Sequence, residues 1–262
     1  MEFFITIVVT FFAGMGAGLG TGFAGMSAAA VITPMLTTFL GTDPYAAVGI
    51  ALASDVLASA VSAYTYGKNR NLDIKNGIVM MASVLAFTVV GSWVSSLLPS
   101  AAMGGFSVLM TFLLGIKFIV KPVMTTKEDM ESVPQKKRLV RSLVAGVAIG
   151  FVCGFVGAGG GMMMLLILTS LLGYELKTAV GTSVFIMTFT ALTGSVSHFV
   201  LGEAPDLLVM ALCVVFTLVW ARIAALFANK AEPKTLNRAT GVVLVVLGVA
   251  VMGFQAFTRL ST

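Results

Sequence analysis

The sequence predicts an all-α integral membrane protein: a polytopic helical bundle of two inverted repeats, each with a short interrupted or re-entrant helix. Three observations predict it. Of 262 residues, 58% are hydrophobic and 10% charged, and the mean hydropathy is +1.03; folded in water, such a chain would be covered in apolar surface. Uncharged runs such as 76–98 and 240–257 reach the roughly 20 residues needed to cross about 30 Å of hydrocarbon. The helix is the default there, because it satisfies its own backbone. Finally, the chain matches itself at a constant offset of 132: Gly22, Phe23, Gly25, Leu36, Thr37, Leu40, Gly41, Ala47, Val48 and Gly49 meet Gly154, Phe155, Gly157, Leu168, Thr169, Leu172, Gly173, Ala179, Val180 and Gly181. Ungapped glycine matches over this length indicate a duplication.

Apolar runs set against loops give the segments 3–24, 27–40, 44–66, 76–98, 101–121, 139–157, 160–172, 176–200, 206–228 and 236–257. The first is read as a retained span rather than a signal peptide, since Glu2 stands where a basic n-region belongs and apolar sequence continues beyond it. Segments 27–40 and 160–172 rise only about 20 Å at about 1.5 Å per residue, too little to span. The organisation is a first repeat over 1–121, a basic linker over 122–138 and a second repeat over 139–262.

Charge orients the bundle. Lys121, Lys127, Lys136, Lys137, Arg138 and Arg141 cluster around the linker, which the positive-inside rule places in the cytoplasm. Lys68, Arg70 and Lys75 then fall inside, the Glu203 and Asp206 loop outside, and Lys230 with Lys234 inside. Equivalent loops lie on opposite faces, which requires an odd number of crossings per half and hence inverted repeats in the cytoplasmic (inner) membrane. The net charge of +5 reports this topology. It does not form the amphipathic basic face that nucleic acid would need.

The chemistry is expected at the two breaks. Gly157, Gly159, Gly160 and Gly161 stand between a span and a half-helix, where an interrupted helix leaves unpaired N–H donors and a dipole that attract an oxyanion. Close helix packing is the alternative use of such glycines. In the first half the counterpart is Gly25 followed by Ser27, whose hydroxyl suits a helix cap or a ligand. Thr182 and Ser183 open a long segment after the second short one and are candidate cavity hydroxyls, against the alternative of bonding their own backbone.

Two charged residues sit where lipid makes them expensive. Asp55 lies near the centre of 44–66, where a carboxylate costs at least about 2.5 kcal/mol; it is the candidate coupling group, or else a structural hydrogen-bond partner. Arg222 lies in the inner half of 206–228, where it would pair with Asp55 or the anion, or snorkel to the interface. Lys117 is read as snorkelling, and His198 as an interfacial ring. Met162, Met163 and Met164 point about 100° apart on a helix and do not converge on one ion, so no metal and no cofactor is expected. No Gly-x-Ser-x-Gly turn or Walker motif is present, which argues against a serine hydrolase and against ATP-driven action by this chain alone; an enzyme is not expected. Cys153 and Cys213 fall in apolar segments and suggest no disulfide scaffold.

The glycine turn Gly157 to Gly161, the stretch Ala179-Val180-Gly181-Thr182-Ser183, and Pro34 with Ala47-Val48-Gly49 resemble the TauE/SafE sulfite-exporter family of membrane permeases, over nearly the whole chain. The first half departs in lacking the glycine triplet, and the second in having Leu166 where Pro34 sits. The resemblance implies export of sulfite, sulfonates or related small anions. The expected partners are therefore a small anionic solute and the lipid bilayer, with homo-oligomerisation left open. A proton-coupled importer of a small organic anion, an anion channel and a non-transporting membrane scaffold are the alternatives.

Overall fold

A computed structural model describes residues 2–96, 103–156, 160–201 and 205–261, leaving out the side chains of 92, 95, 96, 103–111, 153–156, 160–162, 197, 201, 254, 255 and 257–261. The described residues are helical and connected by short loops. In order they form α1 (Glu2–Ala24), α2 (Ala29–Phe39), α3 (Pro44–Lys68), α4 (Ile74–Ser96), α5 (Met103–Val120), α6 (Lys127–Glu131), α7 (Gln135–Val156), α8 (Gly160–Ser170), α9 (Leu176–Leu201), α10 (Leu207–Lys230) and α11 (Pro233–Ser261). Every sequence-predicted segment has its helix. α7 starts at Gln135, so Lys136, Lys137 and Arg138 belong to its first turn, and the linker holds the short α6, which the sequence reading did not anticipate. Thr126 caps α6 in a reciprocal capping box with Asp129. Lys127 donates to the Arg70 carbonyl at 2.6 Å.

Among the described residues, six helices are long and apolar enough to cross a bilayer. The distribution of polarity is that of a protein dissolved in lipid. Val89, Trp93, Val120, Val144, Val200 and Leu207 are exposed, while Thr10, Thr21, Ser54, Asp55, Ser59, Ser62, Thr182, Ser183 and Thr240 are buried. The chain is a multi-pass membrane protein.

Helix pairing is the same when the halves are exchanged. α1 packs on α10 as α7 packs on α4; α3 packs on α9 and α5 on α11. Small residues set the approach distance. A Cβ on Gly18 would lie 2.5 Å from the Thr217 carbonyl of α10, and one on Gly150 would lie 2.5 Å from the Val84 carbonyl of α4. Gly18 and Gly150 are 132 apart, and Val84 and Thr217 are 133 apart, so the two crossings are equivalent. Backbone can approach backbone only where no side chain intervenes.

The short helices α2 and α8 each have 11 residues, about 16 Å at about 1.5 Å per residue. Both double back. Leu40 and Thr42, beyond the end of α2, share a pocket wall with Glu2 and Thr6 at the start of α1. Tyr174, beyond the end of α8, donates at 2.9 Å to Asp73, which pairs with Arg138 at the start of α7. Each short helix ends in a left-handed glycine, Gly41 at φ +63 and Gly173 at φ +70. The next amide returns to the carbonyl six residues back, Thr42 to Leu36 at 3.3 Å and Tyr174 to Leu168 at 2.9 Å.

At both positions an added Cβ would meet nothing within 4 Å, so the requirement is conformational and not steric. Gly41→Ala and Gly173→Ala should each lower stability by about 1–2 kcal/mol, the cost of left-handed backbone, with asparagine at the same positions costing less. Thermal unfolding of the detergent-solubilised variants measures both effects.

Candidate functional site

The break between α1 and α2 is built from backbone that no helix satisfies. α1 ends at Gly25, left-handed at φ +60, with the Met26 amide returning to the Gly20 carbonyl at 3.2 Å. Four carbonyls near this end receive hydroxyls. Tyr66 of α3 donates to Gly22 at 2.8 Å, Thr240 of α11 to Phe23 at 3.2 Å, Ser183 of α9 to Gly25 at 3.4 Å, and Thr21 of α1 to Met26 at 2.8 Å. All four donor side chains are buried. A backbone group left unmet in an apolar medium costs several kcal/mol, so these hydroxyls are what allow the chain to break here.

The start of α2 is satisfied from the other direction. The Asp55 carboxylate of α3 faces the Ala28 amide and the Ser27 hydroxyl and accepts from Ser59 Oγ at 3.0 Å. Asp55 is 1% exposed. A carboxylate at a helix N-terminus is well placed against the dipole, and here its neighbours are hydroxyls and an amide in the place of a cation. The Ala28 amide thus faces a carboxylate of the protein itself.

Of the residues expected at the site, the structure gathers Gly25, Ser27, Asp55 and Ser183. Ser183 is within 2.5 Å of where a Gly25 Cβ would be, so only glycine fits against it. Thr182 points elsewhere: its Oγ1 accepts from the Asp73 amide at 3.2 Å, tying α9 to the loop between α3 and α4. Arg222 is exposed on α10 and forms no ion pair with Asp55, the geometry of the snorkelling alternative. Gly160 and Gly161 open α8, while Gly157 and Gly159 lie outside the described residues. His198 stacks on Tyr45, ring centres 4.2 Å apart, ten residues along α3 from Asp55. Among the described residues, no group of His, Cys, Asp or Glu is arranged to hold a metal.

Sequence reasoning missed Thr21, Ser59, Ser62, Tyr66 and Thr240. Part of the signal was available. Asp55, Ser59, Ser62 and Tyr66 follow one another by four, three and four residues, which puts them on one face of α3. All four are buried, and the stripe runs along the break. The corresponding residues of α9 are Met187, Ala191, Gly194 and His198, so only the first half carries the polar stripe.

Comparison with known proteins agrees with this architecture. The family model described as sulfite exporter TauE/SafE matches residues 10–251. The probable membrane transporter protein YunE of Bacillus subtilis is 28% identical over 266 residues, covering 95% of this chain and 96% of its own. YdhB of Bacillus subtilis, also named a probable membrane transporter protein, is 21% identical over 235 residues, covering 90% and 96%. A probable membrane transporter protein of Methanocaldococcus jannaschii is 23% identical over 267 residues, covering 95% and 96%. Helices, broken hairpins and a match over almost the whole length lead to one assignment: the chain belongs to the sulfite exporter TauE/SafE family.

Proposed function

We propose that this membrane transporter is a secondary permease of two inverted repeats that exports a small sulfur oxyanion, sulfite or a sulfonate such as sulfoacetate, across the cytoplasmic membrane. The carrying observation is the pair of half-helix hairpins. α1–α2 starts and returns at the end of the bundle that holds Asp206, and α7–α8 starts and returns at the end that holds Asp73 and Arg138. Half-helices entering from different ends are how inverted repeats present helix N-termini to a solute near the midplane. In this reading the glycine run that ends with Gly160 and Gly161 at the start of α8 serves that purpose at the second break, and the first contributes Gly25, Ser27 and Ser183 around Asp55. The sulfite exporter TauE/SafE family supports the sulfur oxyanion, and relatives named as probable membrane transporters support transport.

Export fits the electrostatics. An inside-negative potential drives an anion outward with about 2.3 kcal/mol per charge per 100 mV, so no coupling ion is required. A second reading, uptake of a small organic anion coupled to protons, is favoured by Asp55 alone, a buried carboxylate with hydroxyl and amide partners and no cation.

Purified protein in proteoliposomes under an imposed potential should carry sulfite or sulfoacetate with saturable kinetics and counterflow. Flux that does not saturate indicates a channel, and transport of carboxylates with none of sulfur oxyanions overturns the substrate class. Asp55→Asn separates the two directions, because the amide keeps an acceptor for Ala28 and Ser59 but cannot titrate. For the exporter, the pH profile of flux is the same in the variant as in the unaltered protein; for the importer, the pH dependence disappears.

A further inference from the structure

A path through the bundle must be shut at one end while open at the other, and the two ends of this bundle differ at equivalent positions. At the end carrying Arg70 and Lys127, the Asp73 carboxylate accepts from the Tyr174 hydroxyl at 2.9 Å and from Asn76 Nδ2 at 2.6 Å, and pairs with Arg138. The guanidinium lies 5.9 Å from the centre of the Tyr174 ring. Burial, with the Asp73 charge beside it, holds the Tyr174 phenol above its ordinary value, so it stays a donor. The Asp73 and Arg138 side chains are 11% and 14% exposed. This cluster, with the only ion pair among the described residues, ties together the α3–α4 loop, the first turn of α7 and the turn after α8.

The repeat carries Arg138 onto Thr6 and Tyr174 onto Thr42 at the offset of 132, and Asp73 and Asn76 onto Asp206 and Val209 at 133. Those four residues meet at the opposite end. Asp206 caps α10, accepting from Leu208 and Val209 at 2.8 and 3.1 Å, as Asp73 caps α4, accepting from the Asn76 amide at 3.2 Å. Beyond the cap the ends diverge: where Arg138 and Tyr174 close on Asp73, Thr6, Thr42, Asp206 and Val209 line a pocket of about 470 Å³. Threonine is too short to fill that space and brings no charge to Asp206.

We propose that the Asp73–Arg138–Tyr174 cluster is the latch that shuts the basic end of the translocation path, and that the pocket at the other end is the vestibule that stands open while the latch is shut. The proposal rests on the transporter reading above. The shut latch is incompletely satisfied, since Arg138 Nε and Ser142 Oγ, one turn apart on α7, are buried without a protein partner. Buried donors without acceptors are costly. Water admitted on opening relieves that cost, which keeps the two states close enough in free energy for a solute to shift them.

The test uses single-cysteine variants in a background lacking Cys153 and Cys213: Ser142→Cys behind the latch and Thr6→Cys in the vestibule. A membrane-impermeant maleimide is applied to oriented vesicles from each side. With the latch intact, Thr6→Cys labels and Ser142→Cys is protected. Adding Arg138→Gln should raise labelling of Ser142→Cys by about tenfold while lowering that of Thr6→Cys, as a shift between two states requires. Tyr174→Phe, which removes one hydrogen bond, should give a smaller shift of the same sign, and the exchange of Asp73→Arg with Arg138→Asp should restore protection. Labelling that rises at both positions, or at neither, in both Arg138→Gln and Tyr174→Phe overturns the latch. Sulfite flux in the same vesicles separates the two claims. Reciprocal labelling without flux in the latch-intact protein counts against the substrate reading and for the latch; flux without reciprocity does the opposite.

Discussion

A polypeptide in lipid has to satisfy every backbone amide and carbonyl from within itself, and this structure is arranged around the one described place where it stops doing so by helix alone. Breaking the chain between α1 and α2 releases donors and acceptors that water cannot reach. The acceptors are met by hydroxyls of α1, α3, α9 and α11, and the Ala28 amide faces a carboxylate of α3. That need accounts for the burial of Thr21, Ser183 and Thr240 in an otherwise apolar bundle. It also explains why glycine stands at position 25, where the backbone is left-handed and Ser183 leaves no room for a methyl group.

The hydroxyl donors come from both halves, so the break holds the repeats together as well as satisfying itself. Ser183 and Thr240 belong to the second half, and Tyr66 and Asp55 to the first. The glycine crossings extend the same exchange. α1 of one half seats on α10 of the other, and α7 on α4, each at a distance that only glycine permits.

Much of this was legible in the sequence. Composition and run length gave a membrane bundle, and the ten helical segments were placed to within a few residues, because in lipid a helix must be long, apolar and bounded by charge. The short length of α2 and α8 was legible for the same reason, and the break at Gly25 from the glycine itself. Other features were not. Tyr66 reaches Gly22 across 44 residues and Thr240 reaches Phe23 across 217, and no local pattern encodes such pairings. Thr182 and Ser183 were taken as one unit, yet neighbours on a helix point about 100° apart, and they serve different loops. Arg222 in the inner half of a span left pairing and snorkelling both open, and its exposed place on α10 is where a long side chain escapes the penalty by reaching along the surface. The α6 helix was hidden because the linker around it reads as polar spacer until its capping box is noticed.

The repeats have been made unlike where it matters. The first break has a carboxyl group of its own beside it, while the second keeps a run of glycines with no acidic residue among them. A solute anion and Asp55 sharing one interior would repel each other by about 1.7 kcal/mol at about 10 Å with an effective dielectric of about 20. In the proposed permease, a solute held at the second break would therefore disturb the contacts of Asp55 at the start of α2, with no direct contact between solute and α2. Two breaks alike in charge would attract anions equally and convey nothing to each other; under the proposed function, an acidic residue beside one break only gives the bundle a reason to respond when a negative solute arrives.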